Sequence, residues 1–328
     1  MQTPEKIKAL LESANTIAIF GHEYIDGDCL WSMLWVGKIL ESIGKKISYF
    51  TPFSVAKSLQ FIPHREEIQT TFDYGKYDII LFLDFTSYDR IKSFTKEKES
   101  YFDNNTLIII DHHLGDHPSS TDLILKDPTA SSNCEWIYEH ITSRRPEKIT
   151  PEIATYLYLG LTTDTGNFMY ESNSIRTLHN ALWLIQAGAD KKRVLQNIYY
   201  RNNLEMIQFG NKLIQRAQQA WWVLRTYYED GELAKIDIDK EQADYGFHTL
   251  RTIAGPKIYI RIRKSWNTLK WSVRGNGEVD CADMCNSIFN GGWHHNAAGF
   301  WVDWFQDLPS GITYIVEKIQ KYIKNKNQ

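Results

Sequence analysis

The chain has 328 residues, a formal charge of −3 and 43% apolar side chains, a length that points to two domains because single cores stop growing at roughly 250–300 residues. It shows neither the roughly 20 apolar residues that span a bilayer nor, at Met1-Gln2-Thr3-Pro4-Glu5-Lys6, the profile of a signal peptide. Its Cys29, Cys134, Cys281 and Cys285 are too scattered for a disulfide framework, so a cytoplasmic protein with reduced cysteines and no membrane contact is expected.

The first half alternates short apolar runs with helical periodicity. Thr16–Phe20, Ile47–Phe50, Ile79–Leu83 and Leu107–Ile110 are continuous, Ile-rich runs that read as parallel strands covered on both faces. Helices are expected from Leu30 to Ile43 and over Ser131–Ile141, Pro151–Leu161 and Ile175–Ala187, which gives a doubly wound α/β sheet. A polar helical stretch at 188–215 reads as a linker. Beyond it, Trp221–Tyr228, Leu233–Ile238, Lys257–Arg263 and Leu269–Arg274 alternate as strands, with helices at Cys281–Phe289 and Ile312–Lys324. The expected domains are therefore 1–187, catalytic, and 216–328, a smaller α+β domain. By charge count, residues 1–215 net roughly −5 and residues 216–328 roughly +2, which suits a metal centre beside an anion-binding surface. The near-neutral whole argues against a long duplex as partner.

Three apolar runs end in metal-competent residues: His22 after Phe20-Gly21, Asp84 after Leu83, and Asp111-His112-His113 after Ile110. In open parallel sheets ligands bind outside the carboxyl ends of strands, so these ends can share one site. Around the first, His22-Glu23-Tyr24-Ile25-Asp26-Gly27-Asp28 places two carboxylates close together, where they repel unless a cation intervenes. Asp28 could equally cap the helix that opens near Leu30. A fourth candidate is Asp164, in Thr163-Asp164-Thr165-Gly166.

Together these segments resemble the DHH/DHHA1 phosphoesterase superfamily, in its nano-RNase and adenosine-bisphosphate phosphatase branch. Asp111-His112-His113 resembles the signature triplet, His22…Asp26-Gly27-Asp28 the first motif, Asp84 the second and Thr163–Gly166 the fourth. The stretch Asp127–Ser132 with Glu135, and the late Gly291-Gly292-Trp293-His294-His295-Asn296-Ala297-Ala298-Gly299-Phe300, fit as well, so the motifs run in family order over most of the chain. The resemblance implies two divalent ions, with manganese favoured by the imidazole and carboxylate mixture, although magnesium, cobalt or zinc also fit. One subsite would use His22, Asp26 and Asp84; the other would use Asp28, Asp84, His112 and Asp164, with Asp84 bridging. His113 would donate a proton or contact phosphate, and Asp111 would orient His112. Arg274, Gly291, Gly292 and His294 would bind substrate in a cleft between the domains.

The implied activity is hydrolysis of short oligonucleotides to 5′-mononucleotides, dephosphorylation of 3′,5′-adenosine bisphosphate, or both. Cyclic or linear dinucleotide hydrolysis and a catalytically silent nucleotide-binding module are the alternatives, and a homodimer is left open. Ile25, Trp31 and Trp293 depart from the family pattern without removing a ligand; Trp293 could stack on a base or pack.

Overall fold

The structure is a computed structural model that describes residues 4–113, 118, 123–142, 149–169, 174–236, 245–266, 268–289, 291–294, 297–303 and 308–326. The chain divides into two compact units, Met1–Arg201 and Asn202–Gln328.

The first unit is built on six strands: β1 (Thr16–Phe20), β2 (Lys46–Phe50), β3 (Ile68–Gln69), β4 (Ile79–Leu83), β5 (Leu107–Asp111) and β6 (Leu123–Lys126). They pair in parallel in the order β3-β2-β1-β4-β5-β6, the doubly wound arrangement expected from the sequence. The apolar runs are continuous because both faces are covered. Ile17, Ile19, Leu81, Ile108 and Ile110 pack on one side against α1 (Pro4–Ser13) and α2 (Gly27–Glu41), and beside them α5 (Asn133–Ile137) and α6 (Pro151–Asp164). Ala18, Phe20, Ile80, Phe82 and Ile109 face an aromatic cluster with Phe50, Phe72, Phe94 and Phe102. Among the described residues that second side carries the short helices α3 (Lys92–Thr95) and α4 (Glu99–Asp103), so large rings do the filling that long helices do elsewhere. The edge strands β3 and β6 escaped the sequence reading. One is two residues long, and the other is mostly half-buried, so neither shows a long apolar run.

Helices α7 (Ile175–Gln186) and α8 (Lys191–Ile198) complete the unit. Residues 188–215, expected as one linker, divide between the units. Val194 of α8 is buried in the first core, whereas α9 (Leu204–Gln215) buries Met206, Phe209 and Leu213 with Tyr228 and Leu233 of the second unit. Each helix has an apolar stripe and so seeks a core rather than solvent.

The second unit carries β7 (Gln218–Ala220), β8 (Val223–Glu229), β9 (Ile258–Ser265), β10 (Thr268–Gly275), β11 (Gly292–His294) and β12 (Ala297–Asp303), in the order β11-β12-β10-β9-β8-β7. All neighbours are antiparallel except β8 and β9. One face packs on α12 (Cys281–Phe289) and α13 (Leu308–Lys326) through Ile258, Ile260, Ile262, Trp271 and Phe300. Cys281 and Cys285 are buried, unbridged thiols within that core.

The strand expected over Leu233–Ile238 does not form in its described part. Asp230–Leu233 is a short helix, α10, and Ala234–Ile236 turn, while 237 and 238 lie outside the described residues. The Glu229 N–H donates to the Glu232 carboxylate (3.0 Å) in a capping box, and Arg216 grips the same carboxylate with two bonds of 2.8 Å. A helix start signal thus outweighs the weak alternation. The remaining helix, α11 (Tyr245–Leu250), sets Phe247 and Leu250 against Leu224 and Tyr259.

Candidate metal centre

In the first sheet the chain order reverses between β1 and β4, because β2 and β3 lie on one side and β5 and β6 on the other. Such a switch point opens a crevice at the carboxyl ends of the two strands. His22 follows β1 there, Asp84 follows β4, and His112 and His113 follow β5.

Asp84 is the hub. Its Oδ2 lies 3.3 Å from His22 Nε2, and its Oδ1 lies 3.3 Å from both His112 Nε2 and His113 Nδ1. Its backbone is left-handed, with φ of 57°, a conformation that Asp tolerates better than most residues but that still costs about 1–3 kcal/mol. The strain is held by its N–H bond to the Ile110 carbonyl (3.0 Å), and the turn keeps the carboxylate between the two groups of imidazoles.

Around it stand Asp26, whose Oδ2 is 4.0 Å from His22 Nε2, Asp164, 3.1 Å from His112 Nε2, and Asp28, 3.9 Å from the same nitrogen. The helix cap belongs to Asp26, not Asp28: Asp26 Oδ1 accepts the Cys29 N–H (3.0 Å), leaving Oδ2 toward the histidine. Asp28 sits inside the first turn of α2, fully buried, where it accepts the N–H groups of Asn133 (2.7 Å) and Cys134 (2.8 Å). Gly160 of α6 presses on it; a Cβ there would come within 2.7 Å of Asp28 Oδ1.

The histidine tautomers follow from their partners. His22 Nδ1 faces the Glu23 carbonyl (2.6 Å), and His112 Nδ1 faces the Ala130 carbonyl (3.3 Å). A carbonyl only accepts, so each neutral ring carries its proton on Nδ1 and turns an Nε2 lone pair toward the carboxylates. Buried His112 Nε2 and Asp84 Oδ1 make no hydrogen bond. Lone pairs facing carboxylates in a dry site require a cation, and this oxygen and imidazole set fits a divalent one.

The electrostatics agree. Burial and the neighbouring Asp84 push the Asp28 carboxyl up to about 7. Burial, with Asp28 and Asp26 beside it, raises Asp164 well above the carboxylate range. With no cation between them the carboxylates, against burial, push the His22 and His112 imidazoles up, and those rings with His113 in turn hold the Asp84 carboxyl well below its ordinary value, so protons stand in for a cation. Cys29 lies close to His22 and Asp84. Burial and those carboxylates keep it a thiol, its Sγ–H pointing to the Leu83 carbonyl at 3.6 Å.

Asp111 contacts a different histidine from the one expected. Its Oδ1 lies 2.8 Å from His113 Nδ1, while His112 is held by the Ala130 carbonyl. Adjacent residues at a strand end point to opposite sides, so an Asp reaches the second His after it more readily than the first.

The sequence reading left Glu135 as part of a resemblance, and the structure shows its work. The Glu135 carboxylate accepts from the Ser131 N–H (2.6 Å), the Ser131 hydroxyl (3.0 Å) and Asn180 Nδ2 (2.9 Å). It thereby fixes the loop that offers Ala130 to His112 and the amides of Asn133 and Cys134 to Asp28. Arg176 ties the same region to Asp127 (2.9 Å) and Glu139. Among the departures, Ile25 is a core residue, and Trp31 packs against Tyr156 at 4.5 Å and Trp35 at 6.3 Å.

The substrate-binding candidates belong to the second unit. Arg274, on β10, pairs across to Ala297 and Tyr259 and donates to the Val273 carbonyl (2.9 Å). Burial, with Arg251 and Arg274 nearby, lowers His248 to about 4. Gly291 makes its close approach to the β12 backbone, since a Cβ would collide with the Gly299 carbonyl. Gly292 and His294 lie on β11, opposite Gly299 and Ala297. The side chains of Trp293 and His294, and residues 295 and 296, lie outside the described residues.

A parallel α/β unit that gathers imidazoles and carboxylates at its switch point is the architecture of a metal-dependent hydrolase. The model of the DHH family's N-terminal domain matches residues 16–161 of the chain. The chain is 24% identical over 319 residues to the bifunctional oligoribonuclease and PAP phosphatase NrnA of Mycoplasma genitalium, covering 96% of this chain and 97% of that one. The protein of the same name from Bacillus subtilis is 23% identical over 288 residues, 87% of this chain and 88% of the relative. The fold is shared with an exopolyphosphatase-related protein from Bacteroides fragilis, with a TM-score of 0.87 and 22% identity, over 99% of this chain and 97% of that one. Among the described residues no helix is long and apolar enough to cross a membrane.

Proposed function

We propose that the chain is a two-metal phosphoesterase that releases 5′-mononucleotides from short oligonucleotides and dephosphorylates 3′,5′-adenosine bisphosphate. The observation that carries this reading is the buried cluster in which Nε2 lone pairs face carboxylates across Asp84. The similarity to relatives named for both activities directs it to nucleotide substrates.

His22, Asp26 and Asp84 would hold one divalent ion, and Asp28, Asp84, His112 and Asp164 the other, with manganese favoured by the mixed donors. Such ions activate a water and neutralise charge on the phosphoryl oxygens. Asp84 holds the two groups of ligands at one spacing. Asp111 fixes Nδ1 of His113, so that the imidazolium form would give its Nε2 proton to the leaving oxygen or donate a hydrogen bond to phosphate. The resemblance would make Arg274 and His294 the residues that bind the substrate phosphate.

The test is a manganese-supplemented panel of dinucleotides, 5-mers, long single strands, adenosine bisphosphate, cyclic dinucleotides and pyrophosphate. Dinucleotides and adenosine bisphosphate are expected to be the best substrates. Efficiency should fall steeply beyond about five nucleotides, since the chain lacks the basic balance that tracks a long backbone. A preference for pyrophosphate, cyclic dinucleotides or long strands would overturn the assignment.

A further inference from the structure

The first unit holds a cavity of about 560 Å³ on the α2 side of its sheet. It lies between Ile110 of β5, Leu125 of β6, Leu11 of α1, Trp35 and Ile39 of α2, and Trp136 of α5. Sites for small molecules are mostly apolar, hold a few polar groups and measure roughly 300–1,000 Å³. One wall has a rare backbone form. Helix α5 runs on into a π-helical turn, Tyr138–Thr142, of a kind that recurs at functional sites. It sets the His140 ring in a stack on Trp136, at 4.4 Å and 9°, and His140 also lines the cavity. His140 Nδ1 faces the Trp136 carbonyl (3.0 Å), so the neutral ring keeps its proton there and Nε2 is left as an acceptor.

The charges that line the cavity are already engaged. Lys38 pairs with Glu67 (2.8 Å) and Glu41 (3.0 Å), and Lys8 pairs with Glu12 (3.7 Å). The Ser42 hydroxyl donates to the Ile39 carbonyl (2.7 Å), and Glu5 adds a further carboxylate. Among the described residues of the lining, an anionic ligand would meet acidic groups and no spare cation. The nucleotide substrate therefore does not fit, whereas an uncharged molecule does. Trp35 and the Trp136–His140 stack offer it flat aromatic faces.

Three of the lining segments also build the metal centre. Helix α2 opens at Asp26 and Asp28, Ile110 precedes Asp111-His112-His113, and Trp136 follows the Asn133 and Cys134 amides that hold Asp28. We infer that the cavity is an effector site for a flat, uncharged aromatic molecule with one hydrogen-bond donor, which packs on Trp35 and Trp136 and donates to His140 Nε2. The bound ring steadies the segments that carry the metal ligands, so the metal binds with less ordering left to do. This effector role rests on the metal centre proposed above.

Calorimetry of the full chain with 2-naphthol, and with 2-methoxynaphthalene as the ring that cannot donate, tests this. Without metal, the wild type is expected to bind 2-naphthol about fivefold or more tighter than the ether. Ile39→Trp, which fills the cavity, should abolish binding with an unchanged melting profile, and His140→Phe, which keeps the stack, should bind both rings alike. Bound 2-naphthol should tighten manganese binding about fivefold or more, and manganese should tighten 2-naphthol by the same factor, as linkage requires. No binding by the wild type, equal binding of the two rings, or binding that survives Ile39→Trp overturns the site. Binding that leaves manganese affinity unchanged overturns the effector role. A chain that takes up no manganese contradicts the metal centre instead, and the naphthol binding still decides the site.

Discussion

The two sheets of this chain handle charge in opposite ways. In the first, strands covered on both faces carry almost no charge along their length and concentrate it where they end, at His22, Asp84 and Asp111-His112-His113. In the second, basic side chains stand on the strand faces and much of that charge is neutralised locally. Arg263 pairs with Asp230 (2.8 Å) and Lys264 with Glu229 (3.3 Å), and Lys257, just before β9, pairs with Glu278 (2.8 Å). The lesson is that chemistry at strand ends can be read from a sequence, because the apolar run announces where it stops. Chemistry on a strand face cannot, because a clamp and a solvated ion pair look alike.

The largest expected effect breaks the hub of the first sheet. Asp84→Ala should reduce phosphoesterase activity below detection while circular dichroism shows the fold retained; turnover near the wild-type rate would remove Asp84 from the site. Next is the support beneath it. Glu135→Gln should weaken metal affinity by about 10–100-fold, the usual effect of losing a partner that orients ligands, with titration calorimetry as the readout.

In the second sheet, Arg274→Ala should raise KM by about 10–100-fold, as loss of a charge-assisted bond does, without changing metal content. Unchanged kinetics would leave Arg274 among the paired surface charges and move the clamp elsewhere.

The smallest effect concerns stability. Arg176→Ala should destabilise the first unit by about 1–3 kcal/mol, measured by denaturant unfolding at neutral pH. Burial opposes the Glu139 and Asp127 carboxylates, but bonds from Arg176, with Asn180 and Thr129, outweigh it and lower both pKa values. Stability from a depressed carboxyl is present above its unfolded pKa and is lost as pH falls through the folded one. The difference between wild type and Arg176→Ala should therefore shrink below about pH 4.

Much of the first unit was legible in the sequence. Its four long strands and the residues at their ends stand where the apolar runs place them. Asp28 was legible as a candidate, but not its two backbone donors, since Asn133 and Cys134 arrive from more than a hundred residues away. The Asp26 cap and the pairing of Asp111 with His113 were hidden because they turn on local backbone direction rather than residue type. The 188–215 segment misled because a polar helix with one apolar stripe looks like a connector until the core it packs on is known. In the second unit the weak alternation of Leu233–Ile238 lost to a capping box that two glutamates three residues apart had already written.

The account rests on Asp84 holding two groups of ligands around two ions. The most direct measurement is metal stoichiometry, by elemental analysis and calorimetry, on the wild type and on Asp84→Asn, a change that keeps the size of the side chain and tolerates its left-handed backbone. Two manganese ions per wild-type chain and none on the variant is the predicted result. Two ions retained by Asp84→Asn would contradict it.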